Sequence, residues 1–382
     1  MKSSRAWIPW VKASQEGTSK VVARSYAAIP EALRSAFGYC VQQVRQYDYF
    51  NYVWLAQVPP KLRPPLFALR AFNIETALVA DNVRSKESVL GQIRFQWWRD
   101  SVKAAFDGHP PNHPVALALA HILHTATGAP STPVVNGTVA GFQRSTNGSD
   151  GGKKVGDDAQ CSSGCSSPSA TSGTGGGNSR GSGGATSYSR YIFKRIIDIR
   201  EADFLDPQPP LDLQALEQYA EGTSSQLMYL QLAAAGVTHR DADHAGSHLG
   251  RAVGITTLLR GTAAHAAARR CYLPVDLCAE ARVSQEDVYA GVVSEGLRDV
   301  VHKVASLAKG HLDEARKLAP RLPPSAAGVM LPAVAVGRYL EALEARNFDP
   351  YDARLIRDHG GAGSAPLSYV LAVKWHQWRG TY

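Results

Sequence analysis

LGRAVGITTLLRGTAAHAAARRCYLP, Leu249 to Pro274, decides how this chain is read. Leu249, Ala252, Val253, Leu258 and Leu259 recur at spacings of three and four, the period of one face of a helix. The stretch holds no aspartate or glutamate.

Working outward, the same period returns in Val301, Val304, Ala305 and Ala308. Breakers fall between the periodic segments at Pro59-Pro60, Pro64-Pro65, Pro110-Pro111, Pro207 to Pro210 and Pro323-Pro324. No alternating strand pattern appears, so the expectation is an all-α chain. From about Gly128 to Ser189 the residues are dominated by Gly, Ser, Thr and Asn, a composition that cannot offset the entropy of ordering. That stretch reads as a disordered insert interrupting one domain, residues 41–382. It is no phosphate cradle, because no strand precedes it and no Gly-Lys-Ser/Thr follows.

The first forty residues are rich in Arg, Lys, Ser and Ala, with Glu16 and Glu31 the only acids. An acid-poor amphipathic start without a continuous apolar run reads as an organellar transit peptide, so the sequons at Asn136 and Asn147 should go unused. The 382 residues are 44% hydrophobic, enough for a large core, and no run of about 18 apolar residues marks a membrane span. The formal net charge of +8 comes from scattered Lys and Arg, which favours a solvated basic surface over nucleic-acid binding. Five cysteines with no paired C-x-x-C pattern point to free thiols.

Leu249–Pro274 resembles the second signature helix of the squalene/phytoene synthase family, with Ala252, Thr256, Leu259, Arg260, Arg270, Tyr272, Leu273 and Pro274 on frame. Where that family carries metal-binding acids, this chain has Gly261, Ala264 and His265. LFALRAFNIETALVADNV, Leu66 to Val83, resembles the first signature helix. There Ala77 stands at the opening acid and only Asp81 remains. Phe95–Leu119, Ile196–Phe204 and Tyr219–Leu227 resemble further segments of the family. Phe67–Glu75, Gln96–Trp98, Tyr219–Leu227, His244–Ile255, Val283–Asp287 and Gln377–Tyr382 are similar to a branch that assembles mitochondrial respiratory complex I. The resemblance implies a single isoprenoid-synthase-like helical domain around a central cavity, without cofactor or metal. It also implies complex I subunits or other assembly factors as partners, on the matrix side of the inner membrane, with peripheral attachment to it.

Several residues invite sharper roles. Arg70, Glu75, Asp81 and Arg260 are candidates for a degenerate cavity, with Arg260 pairing Glu75 or Asp81 because buried charges need partners. Such a cavity could still admit an acyl or prenyl chain. Trp375, Trp378 and Arg379 are candidates for partner binding, although core packing is the commoner use of such tryptophans; Trp97 and Trp98 read the same way. His244 and His248 have a Zn²⁺-ligand spacing but no evident third ligand. Ser224 and Ser225 lack a nucleophile elbow and read as packing residues. Two functional classes compete: a non-catalytic assembly factor, and a prenyl-diphosphate transferase with atypical metal ligands. Breakage of both acidic motifs favours the first.

Overall fold

The computed structural model describes residues 30–82, 88–126, 188–360 and 365–382, and among these every regular element is helical. The Gly/Ser-rich stretch, apart from Tyr188 and Ser189, lies outside the described residues, as do residues 1–29, the two sequons, Cys161 and Cys165.

The first helices are α1 (Glu31–Tyr47), α2 (Tyr49–Leu55), α3 (Arg63–Ala77) and the short α4 (Val79–Asn82). They are followed by α5 (Ser88–Phe106), α6 (Pro114–Ala126) and α7 (Arg190–Leu205). Leu33, Ala36, Phe37, Cys40 and Val44 form the buried stripe of α1. Residues 31–40, assigned from composition to the leader, are therefore the first turns of a core helix. An amphipathic, basic helix has the same composition in either role, and only burial distinguishes them. One hydrophobic core gathers Phe37, Trp54, Leu66, Phe72, Phe95 and Phe193. Phe72 sits edge-on to both Trp98 and Phe193, at 5.7 and 5.2 Å between ring centroids, a geometry that suits the ring quadrupoles.

The chain continues through α8 (Leu213–Ala220), a π turn at Glu221–Ser225, α9 (Gln226–Ala234) and the long α10 (Arg240–Arg260). After α11 (Thr262–Ala267), α12 (Val275–Glu280) and α13 (Gln285–Tyr289) comes α14 (Glu295–Lys317). Then follow α15 (Pro332–Glu344), α16 (Ala353–Leu355) with a second π turn, and α17 (Leu367–Arg379). The Asp212 carboxylate accepts from Ala215 N at 2.7 Å and starts α8; such a cap contributes about 1 kcal/mol. Ser284 and Asp287 form a reciprocal capping box on α13, and Ser294 caps α14. The period expected in α14 is present: Leu297, Val300, Val301, Val304, Ala305 and Ala308 are buried and meet Leu249 and Ile255 of α10 in a second core.

Three glycines set the approach of α10 to the first π turn. A Cβ at Gly246 would lie 2.9 Å from Leu232 Cδ1, and one at Gly254 would lie 2.7 Å from Ala220 Cβ. At Gly250 it would stand 2.5 Å from Ser225 Oγ and closer still to Ser225 Cα. Glu221 of the π turn accepts from Tyr229 Oη at 2.9 Å, Ser247 Oγ at 3.0 Å and Arg251 Nε at 3.1 Å. The buried Ser225 hydroxyl donates to the Ser247 carbonyl at 3.0 Å, so this serine is a packing residue.

Candidate functional site

The two signature helices bring Arg70 and Arg260 into electrostatic contact. Arg70, on α3, is 4% exposed. Its Nη1 donates to Asp48 Oδ2 at 3.3 Å, its guanidinium lies over the Trp54 ring and its Nε has no partner among the described residues. Burial pushes the Arg70 pKa down, Asp48 opposes that shift, and the Arg260 charge adds to it. Arg260, the last residue of α10, lies 5.5 Å over the Phe50 ring, a cation–π contact. That ring also meets Tyr369 and His359, and the His359 pKa is pushed down to about 4 by burial first and by Arg260 second. The buried Tyr339 hydroxyl, within reach of the Arg260 charge, has no hydrogen-bond partner among the described residues. Two guanidiniums, of which Arg70 pairs with Asp48, suit an anion better than a metal ion.

Beyond Arg260 the His265 ring fills the space beside Gly261. A Cβ at Gly261 would lie 2.5 Å from His265 Cε1. The His265 ring stands edge-on to Tyr272 at 4.7 Å, and burial, followed by the Arg270 charge, pushes its pKa down to about 4. The His265 imidazole is therefore neutral at pH 7. Tyr272 donates to Asp203 Oδ2 at 2.8 Å, and desolvation raises the Asp203 pKa against the pull of Tyr272, Arg270 and Arg200. Arg200 of α7 donates to Asn73 O at 2.6 Å, to Asn73 Oδ1 at 2.7 Å and to Thr76 Oγ1. Desolvation lowers its pKa to about 10, still cationic at neutral pH. This network ties α3, α7 and the Tyr272 segment together. Sequence reasoning flagged the segments holding Arg200, Asp203, Tyr272, Asn73 and Thr76 but missed that Arg200 joins α7 to α3.

The remaining cavity candidates do not converge. Glu75 accepts from Tyr39 Oη at 2.6 Å, and Asp81 is exposed on α4, so neither pairs with Arg260 among the described residues. Ala77 and Ala264 are exposed. The enclosed cavity between α8, α10, α11 and α14, lined by Leu216, Ile255, Leu259, His265 and Tyr272, measures about 10 Å³. That is room for about one water, and neither Arg70 nor Ala77 lines it.

The tryptophans separate. Trp98 is buried at 4%, whereas Trp97, Trp375 and Trp378 are exposed at 39, 53 and 76%. Core packing is thus overturned for the last two. Tyr369 and Val373 anchor α17 inward, and Leu367, Leu371, Trp375 and Trp378 share an outward arc of about 80° at 3.6 residues per turn. An open hollow of about 600 Å³ runs along Leu371, Trp375 and Trp378, with the Arg379 guanidinium over the Trp375 ring. Cys40, Cys271 and Cys278 are free thiols. No helix among the described residues is long and apolar enough to cross a membrane.

Comparison with known proteins follows this geometry. The squalene/phytoene synthase family model matches residues 44–148 and 184–362. The chain is 32% identical over 346 residues to a Bos taurus protein named NADH dehydrogenase (ubiquinone) complex I, assembly factor 6, covering 90% of this chain and 82% of that one. The Homo sapiens protein of the same name is 30% identical with the same coverages. A Drosophila melanogaster homolog is 27% identical, covering 91% and 87%. Among solved structures, a squalene synthase from Alicyclobacillus acidocaldarius superposes with a TM-score of 0.61 at 16% identity, over 85% of this chain and 98% of that one. A dehydrosqualene synthase gives 0.63 at 14% identity, over 91% and 96%. These last two likenesses show the fold.

Proposed function

The chain belongs to the squalene/phytoene synthase family, within it to the branch of the complex I assembly factors, and from that premise we propose that it is a non-catalytic assembly factor for mitochondrial respiratory complex I. The observation that supports the reading is at Gly261, where the resemblance puts a metal-binding acid and the His265 ring stands in the space a side chain would need. Ionisation of an allylic diphosphate requires Mg²⁺ held by paired carboxylates, and Ala77, Gly261, Ala264 and His265 supply none. Prenyl transfer, the competing reading, has no charge-neutralising ion to work with.

Function then rests on binding. The outward face of α17 combines Leu367, Leu371, Trp375 and Trp378 with Lys374 and Arg379, and this helix contains no carboxylate. Aromatic anchors flanked by cations suit contact with complex I subunits or other assembly factors beside the matrix face of the inner membrane, where anionic headgroups favour peripheral attachment. In a strain lacking the gene, wild-type protein should restore complex I on native gels, and Trp375→Ala/Trp378→Ala should restore it poorly while unfolding at the wild-type temperature. Full rescue by the double variant would remove α17 from the proposal. Formation of squalene or phytoene from farnesyl or geranylgeranyl diphosphate and Mg²⁺ by the purified protein would overturn the non-catalytic reading.

A further inference from the structure

Away from the signature motifs, three imidazoles and a carboxylate form a chain across α8, α10 and α14. His244 Nε2 lies 3.2 Å from His248 Nε2, and His248 Nδ1 lies 2.9 Å from His311 Nδ1. His311 Nε2 reaches Glu217 Oε1 at 2.5 Å. One proton per ring satisfies this order: His311 donates to Glu217 through Nε2 and accepts at Nδ1 from His248, whose Nε2 lone pair then faces His244.

We propose that His244 and His248 chelate a divalent transition-metal ion of the zinc class through their Nε2 atoms, with Glu314 of α14 turning in as the third protein ligand. Zn–N bonds run about 2.0–2.1 Å, so two nitrogens on one tetrahedral ion lie about 3.3–3.4 Å apart; the pair stands within about 0.2 Å of that separation. Histidines four apart on a helix share a face, and this pair sits at the surface, His244 exposed and His248 half-buried. Behind His248 stands the support that metal-bound imidazoles characteristically have, an N–H partner that fixes tautomer and ring orientation. Here it is His311, 9% exposed and itself held by Glu217.

Among the described residues no three donors already converge on one point. The third must move, and Glu314 is placed to do so. It lies three residues after His311 on α14, its charge interacts with His248, and its present partner is the exposed Lys317 at 2.6 Å. Exposed pairs of this kind are weak and easily exchanged. Arg251, the cation nearest to His248, is engaged by Glu221 at 3.1 Å. Binding needs His244 to shift its proton from Nε2 to the outer Nδ1, with no net proton released, and both rings to turn their Nε2 lone pairs from each other toward the ion. Imidazole nitrogens exclude Mg²⁺ and Ca²⁺ in favour of Zn²⁺, Ni²⁺ or Cu²⁺. The bound ion would link α10 to α14, a role independent of the assembly reading.

Titration of the full chain with Zn²⁺, and with Co²⁺ as a spectroscopic probe, tests this. One saturable site is expected, with tetrahedral Co²⁺ visible bands and no thiolate charge-transfer band. His244→Ala should weaken it at least tenfold. Glu217→Gln should weaken it about 10- to 100-fold, the usual effect of removing an outer-shell partner. Glu314→Gln should weaken it while leaving the fold intact, since the residue is exposed. A site unaffected by His244→Ala, a thiolate band, or no saturable binding would overturn the proposal, and an unchanged affinity in Glu314→Gln would remove Glu314 as ligand.

Discussion

The middle and the end of α10 belong to one helix, yet they hold their neighbours differently. From Gly246 to Gly254 the helix approaches the π turn so closely that a single methyl has no room, and Glu221 is clamped by three donors. From Arg260 onward side chains meet through rings and cations, and Ala264 is exposed. The fold depends on backbone proximity in the middle. At the end contact is made by side chains, where substitution leaves the helix in place.

The sharpest way to break this comparison is Gly250→Ala against Ala264→Asp. The first should cost about 3 kcal/mol, the upper range for overpacking a rigid neighbour. At about 2–4 °C per kcal/mol its unfolding temperature should fall by about 6–12 °C. Ala264→Asp should stay within about 0.5 kcal/mol, as exposed substitutions do. Equal shifts in thermal unfolding would erase the distinction.

Gly261→Asp sharpens it at the end of the helix. The new side chain must displace the His265 ring, a movable neighbour, so the loss should be about 1–2 kcal/mol. His265→Ala in the same protein should recover at least about 0.5 kcal/mol of it, read as the coupling in a double-mutant cycle. Neither variant should gain Mg²⁺-dependent turnover. Additive effects would mean that His265 does not fill the position.

The smallest effect is in pH. The folded pKa of His265 is about 4 against an ordinary 6.5, so between those values the unfolded chain binds a proton that the folded chain refuses. Its stability is full above about pH 6.5 and declines as pH falls toward 4. His265→Gln should flatten that decline in a series of unfolding midpoints, and an unchanged slope would place the ring in water.

Much of this was legible in the residues. The three-and-four spacing in Leu249–Leu259 and in Val301–Ala308 marks two helices, and these pack on each other. What escaped depends on partners distant in the chain. Arg200 meets Asn73 and Thr76 more than a hundred residues away, and no local pattern announces such a contact. In α17 both Tyr369 and Leu371 are apolar, so periodicity gives the faces without saying which one looks outward. His311 reads as one more polar position of α14 until the fold sets it beside His248.

The π turn at Glu221–Ser225 carries a consequence for chain length. A π turn holds one residue more than the α turn it replaces, and each residue advances a helix by about 100°. Removing any one residue from this turn would rotate Leu216 and Ala220 by that angle relative to Leu227 and Leu230, swinging one buried pair into solvent. Drift in residue identity is survivable on much of this surface; drift in length at this turn is not.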